Sequence, residues 1–350
     1  NADAGIDVES GNSLLISLQS FLYNGSPKAW RGMRSLGDSH LDIRFGTTLK
    51  GAVYGVDYWG GNLKLLSCNF TNSFLSLYLR NNFAQTDLSI GGVQFGAGIL
   101  PPLGVTAVDA PILEESGGYS TARPFASIFA KNKSNSSKLV ITDDNAFNGA
   151  ASGVYLVNTH ADLQKCNFAN HPQESTYLLD HTGSGVYFRA TQPNRTLNLS
   201  SNSCAHSHFG YRVISAADGT MVTTTTPAQN TSFQNQFGFA LEQEPGGRFA
   251  ATDIRNNSFD LSYEAGILFK CNEPNANSEI TIRSNTLMVN LNDGILLKGA
   301  NQSDQINILS NSITLDVNPE QNGKSGIHLQ DFNKGNIQSN PITLPSFGGT

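Results

Sequence analysis

The side chains best suited to chemistry fall at three places in the chain. His206-x-His208-x-x-Tyr211-Arg212 is the densest polar cluster. Two histidines two residues apart on a strand share a face, so they would hold a metal if a third ligand arrived from a neighbouring strand. Glu242 and Glu244 also share a face at strand spacing, with Arg248, Asp253 and Arg255 close behind. Carboxylates or a basic residue projecting side by side, with an exposed aromatic such as Tyr211, are what a polysaccharide lyase or glycoside hydrolase needs. The plainer reading is a set of exposed ion pairs. Asp143-Asp144 is adjacent, and neighbours on a strand point to opposite faces, so one carboxylate at most would enter a groove; a turn ahead of Asn145 is the alternative. Catalytic metal sites take at least three protein ligands, and no third donor is visible. The chain also lacks a nucleophile elbow, a phosphate loop and a dinucleotide fingerprint. No catalytic, cofactor-binding or metal-binding residue is therefore assigned, and no cofactor is expected.

The elements that position these residues are legible in the last third of the chain. Ile254-Arg-Asn-Asn257-Ser-Phe259, Ile282-Arg-Ser-Asn285-Thr-Leu287, Ile308-Leu-Ser-Asn311-Ser-Ile313 and Ile337-Gln-Ser-Asn340-Pro-Ile342 set their asparagines 28, 26 and 29 residues apart. Three are followed by a second phrase: Gly266-Ile-Leu-Phe269, Gly294-Ile-Leu-Leu297 and Gly326-Ile-His-Leu329. Apolar alternation of period two, rich in β-branched residues, makes strands; a helix would need apolar positions three and four apart. Such a unit cannot bury its apolar face until neighbours stack on it. The pattern predicts an all-β fold, a right-handed parallel β-helix of roughly ten coils of about 20–30 residues. Asn257, Asn285, Asn311 and Asn340 are expected at coil corners, where Asn tolerates a left-handed backbone and its amide bonds the equivalents above and below. Gly266, Gly294 and Gly326 are expected at the next bend, where a Cβ would crowd the backbone.

Weaker copies recur at Asn145, Asn167, Asn202 and Asn230, each followed by a Gly-led phrase, and residues 14–21, 41–45, 63–70 and 74–79 alternate as strands. Residues 1–350 thus read as one domain with a loop-like insertion near 96–130, punctuated by Pro and Gly. That insertion is either a functional loop or a neutral excursion from a corner. Cys68, Cys166, Cys204 and Cys271 have no paired spacing that would suit zinc. They read as small buried core residues, with a disulfide between stacked coils as the alternative. Asp293, Asp316 and Asp331 recur in no fixed register, so no calcium ladder is expected.

Hydrophobic residues make up 39% of the chain and charged residues 14%, a balance that excludes disorder. The net charge is −6, from 28 acidic and 22 basic residues without a basic cluster, which argues against nucleic acid as a partner. No run of about 18 apolar residues is present, so no membrane insertion is expected. The first residues include neither an initiator Met nor a signal peptide, and no polar cap follows Ile342, so a longer, processed parent chain is expected.

Trp30-Arg-Gly32, followed by Leu41-Asp-Ile43, Ala52-Val-Tyr-Gly55 and the Asn-x-Phe coils, resembles bacterial surface proteins with parallel β-helix repeats, most closely the large secreted examples of Bacteroidetes type. The resemblance implies a secreted or cell-surface protein. Fold does not give function. The first expectation is an adhesin-like or structural rod whose partners are polysaccharide or other surface components, neighbouring domains of the parent chain, or copies of itself end to end. A pectate-lyase-like polysaccharide lyase or glycoside hydrolase is the alternative. A non-catalytic carbohydrate-binding module with a row of rings such as Tyr155 and Tyr187 is the second alternative.

Overall fold

The computed structural model describes residues 4–23, 25, 27–103, 108–224, 229–272, 277–289, 292–299, 304–315, 325–331 and 335–343. Asp316 and the tail after Thr343 lie outside them. The chain divides into two compact units, Asn1–Tyr187 and Phe188–Thr350. Each is a right-handed parallel β-helix. Among the described residues thirty-six strands recur as twelve triplets, where the repeats predict roughly ten coils. The extra ones lie near the start, where corners carry no Asn. Trp30 stands in the second triplet, after Gly5–Val8, Ser13–Ile16 and Phe21–Tyr23. No helix among the described residues is long and apolar enough to cross a membrane.

Among the described residues the strand pairings are parallel and join a strand to its equivalent one coil away. In the first unit the first sheet runs through Trp30–Ser35, Ala52–Tyr58, Leu75–Leu79, Ala126–Lys131 and Ser152–Val157. In the second unit it runs through Phe209–Ser215, Phe237–Gln243, Ala265–Cys271, Asp293–Lys298 and Ser325–Gln330. The second sheet of the first unit is interrupted: it ends at Leu88–Gly91 and restarts at Lys138–Ile141. Residues 97–125 span that gap in the sequence pattern, and the helix Ala110–Ser116 is the one regular helix among the described ones. Pro111 sits in its first turn, and Gly117 closes it in the left-handed region at φ 76°.

The corners are made differently from the expectation. The left-handed residue is the one before the asparagine: Ser201, Asn256, Ser284, Ser310 and Ser339 have φ between 52° and 58°. The asparagine itself is extended and points inward. In the second unit Asn202 donates through Nδ2 to Asn230 Oδ1 at 3.0 Å, and Asn230 donates to Asn257 at 3.0 Å. Asn257, Asn285 and Asn311 continue the chain to Asn285, Asn311 and Asn340, each at 2.9 Å. The same oxygens accept backbone amides, as Asn285 Oδ1 does from Asn257 N at 3.0 Å. Second Nδ2 protons reach carbonyls of the preceding strand, such as Ile254 O at 2.9 Å from Asn285. In the first unit the same inward position holds Thr47, Cys68, Val93, Asn145 and Cys166, all buried.

The glycines serve a close approach instead of a bend. A Cβ on Gly266 would lie 2.6 Å from Leu287 Cδ2, and one on Gly238 would lie 2.5 Å from Phe259 Cδ1 and from Gly266 O. In the first unit Gly153 seats Phe168, where a Cβ would come within 2.7 Å of the ring. The Asn-x-Phe phrase and the Gly-led phrase are thus two halves of one packing unit: a large inward side chain on the third strand rests on the bare Cα of a first strand. In the first unit these rings stack, Phe70 on Phe95 at 5.4 Å, Phe95 on Phe147 at 4.7 Å and Phe147 on Phe168 at 4.8 Å. The four cysteines are free thiols buried in this core.

Asn285→Ala removes the acceptor of two Asn257 donors and leaves Ile254 O and Asn311 Oδ1 short of a donor. Buried groups left unpaired cost about 1–3 kcal/mol each, so the urea midpoint is expected to fall by an amount equivalent to at least about 2 kcal/mol. An unchanged midpoint would mean that the ladder adds nothing to stability.

Candidate functional site

Sheet interiors are filled, so chemistry can only be presented on outer faces and by the insertion. In the first unit the outer face of the first sheet carries Tyr78, Phe129 and Tyr155 in register. The insertion covers it, with Ile112 and Phe125 fully buried. Its helix brings Glu115 onto this layer. Glu115 accepts a hydrogen bond from Tyr155 Oη at 2.7 Å and pairs with Lys131 Nζ at 2.9 Å and His181 Nδ1 at 3.4 Å. Burial alone would raise the pKa of this carboxyl, but the bonds from His181, Lys131 and Tyr155 and the Lys131 charge outweigh it and bring the pKa down to about 2. Burial pushes the Tyr155 phenol well above its ordinary range. Both Glu115 oxygens are spent on holding the helix down, and the insertion is a docked cover. Tyr155 and Tyr187, expected as a flat exposed row, are fully buried and stack on each other at 4.4 Å. They offer no face to a sugar.

The residues singled out in the second unit do not converge. His206 occupies a left-handed corner at φ 54°, against Phe233, while His208 leads into the next strand beside Phe209. The two do not share a strand face. Burial lowers the His208 pKa. Tyr211 points into the core and is fully buried. Arg212 forms a two-pronged pair with Glu242, at 2.6 and 3.2 Å, over the Phe209 ring. Glu244 pairs with Arg189 at 2.8 Å, and Arg248 pairs with Asp218. Asp143 and Asp144 both have positive φ, 67° and 55°, which makes them the turn before Asn145. Asp293 accepts from His328 Nδ1 at 3.1 Å.

Asp253 and Arg255 land elsewhere, on the outer face of the second sheet. There an outward column runs Thr223, Asp253, Thr281, Asn307, Asn336 in register, one residue per coil. A groove of about 580 Å³ lies over it, bordered by Glu279 and Gln305 on one side and Arg283 on the other. A second hollow of about 310 Å³ continues past Asn307 to Asn336. Arg283 holds Asp253 through two bonds at 2.7 and 3.1 Å, and Arg255 lies 3.5 Å from the same carboxylate. The groove offers hydroxyl, amide and ion-paired carboxylate groups at roughly 4.8 Å intervals. The sequence carries this column as the polar member of each alternation, Thr-Asp-Ile-Arg and Ile-Thr-Ile-Arg. It is missed because a solvated face gives the same pattern.

A family model described as "Periplasmic copper-binding protein (NosD)" matches residues 168–350, just over half of the chain. No curated protein and no solved structure matches it.

Glu115→Gln keeps the shape of the docked side chain and removes its charge. The carboxyl titrates lower in the folded chain than unfolded, so its contribution is present above about pH 4.5 and lost as pH falls through about 2. The variant is expected to melt lower at neutral pH and to show a shallower stability loss between those limits. Equal melting and equal acid profiles would remove Glu115 from the account of how the insertion docks.

Proposed function

The chain belongs to the NosD family, and from that premise we propose that it works outside the cytoplasm as a non-catalytic β-helix interaction protein whose second-sheet groove takes a polysaccharide. The observation that carries the reading is the column Thr223, Asp253, Thr281, Asn307, Asn336 lying open along the coil axis. A polyhydroxylated chain repeats donors and acceptors along its length, and a stack of coils repeats complementary groups along the same direction. Recognition here would rest on hydrogen bonds, because no aromatic ring borders the groove among its described residues. The family name and the resemblance of the Trp30-Arg-Gly32 region to secreted β-helix proteins support the same compartment.

The carboxylates a lyase or hydrolase would use are engaged, Glu242 by Arg212, Glu244 by Arg189 and Asp253 by Arg283. This favours binding over bond cleavage. Copper, in the family's description, needs several soft or nitrogen donors at one point. Among the described residues no three His, Cys, Asp or Glu come together to hold a metal. Cys204 is buried beside Ser207, and Cys271 is also buried. Met221 is half-buried on the second sheet, and Met288 faces outward on the third. Among the described residues the donors do not fit a copper centre.

Titration calorimetry against a panel of neutral and acidic polysaccharides, run beside reducing-sugar and unsaturated-product assays, is the test. Binding without product is expected. Thr281→Val with Asn307→Ala removes two neutral hydrogen bonds and should weaken binding about tenfold with the melting point unchanged. Product formation, or binding indifferent to both substitutions, would overturn the assignment.

A further inference from the structure

The first unit contains a cavity of about 610 Å³ between the strand Phe21–Tyr23 and the start of the insertion. Ligand pockets commonly fall between about 300 and 1,000 Å³. Its walls are apolar: Phe21, Tyr23, Ile99 and Pro101 line it. Phe21, Tyr23 and Ile99 remain 70, 65 and 78% exposed. Large apolar side chains left open around one concavity mark a binding surface more than a solvated one. Two lysines, Lys28 and Lys50, are part of the lining, and no Asp or Glu is among its described residues.

The walls are fixed before any ligand arrives. Pro102 O accepts from Ala29 N at 2.8 Å, and Pro101 O accepts from Tyr119 Oη at 2.6 Å. Leu100 N donates to Thr121 O at 2.8 Å, and Trp30 Nε1 donates to Lys50 O at 2.8 Å. A preformed apolar concavity spares a ligand the cost of ordering it. We propose that this cavity binds a free amphiphile with one aliphatic chain and one carboxylate, the chain lying on Phe21, Tyr23, Ile99 and Pro101 and the carboxylate meeting Lys28 and Lys50. The site is independent of the polysaccharide groove, which lies in the second unit.

Calorimetry with monomeric dodecanoate tests it, with dodecyltrimethylammonium as the charge-reversed probe and phosphatidylglycerol vesicles as the membrane probe. Saturable binding of one dodecanoate per chain is expected, at least about tenfold tighter than the cationic probe. Lys28→Glu with Lys50→Glu should reverse that preference. Ile99→Asp, at an exposed position that leaves the fold intact by melting point, should weaken both amphiphiles. No saturation with dodecanoate, equal affinity for the two head groups, or undiminished binding by Ile99→Asp would overturn the proposal. Binding to vesicles alone would also overturn it, in favour of a membrane surface.

Discussion

The corner amide is the interaction on which the rest depends. A parallel coil must turn between strands without leaving a buried N–H or C=O unpaired, and it must do so at the same height in every coil or the strands lose register. One residue in the left-handed region makes the turn, and the next, held extended, sends its side chain inward. When that side chain is Asn, one amide meets three needs. Asn285 accepts from the coil before it through Oδ1, donates to Asn311 in the coil after it, and satisfies Ile254 O through the same Nδ2 group. The first unit fills most of the equivalent places with Thr47, Cys68, Val93 and Cys166. These ask little or nothing of their neighbours, and its cohesion comes instead from the stacked phenylalanines.

A fixed corner forces everything else outward. The inward positions are committed to packing, a large side chain against the bare Cα of a glycine. The two units then use their outer faces differently. In the first, aromatic residues stand on the outer face of the first sheet and require a second layer. The insertion supplies it, and Glu115 is charged because Lys131, His181 and Tyr155 surround it. In the second, the outer face of the second sheet is polar from coil to coil and stays open.

The fold was legible because its signals are periodic: Asn257, Asn285 and Asn311 repeat at nearly the coil length, and the alternation around them has the period of a strand. The cause of that repeat was less legible. Sequence points Asn to the left-handed turn that Ser284 and Ser310 make, because the inward role of its side chain follows only from hydrogen bonds between coils. Sequence likewise points the glycines to a bend, because it does not show that Phe259 rests on Gly238. Sites fared worse for the same reason. Tyr155 and Tyr211 sit at adjacent phases of similar phrases, yet one faces a docked helix and the other the core. Glu115 carried no signal, since its partners are 16, 40 and 66 residues away.

On the outer faces of the second unit, side chains line up when they occupy the same column of successive coils, and the phase of the strand decides which do. Cys204 falls in the inward column of Phe259 and Leu287. His206 falls on a corner and His208 at the head of a strand. His328 shares its column with Arg212 but stands four strand spacings away, roughly 19 Å. The soft donors are therefore dispersed by the same periodicity that collects Thr223, Asp253, Thr281, Asn307 and Asn336 into one line. A point-like ligand needs convergence, which this column does not provide. A long ligand with its own repeat needs spacing, and spacing is what stacked coils supply.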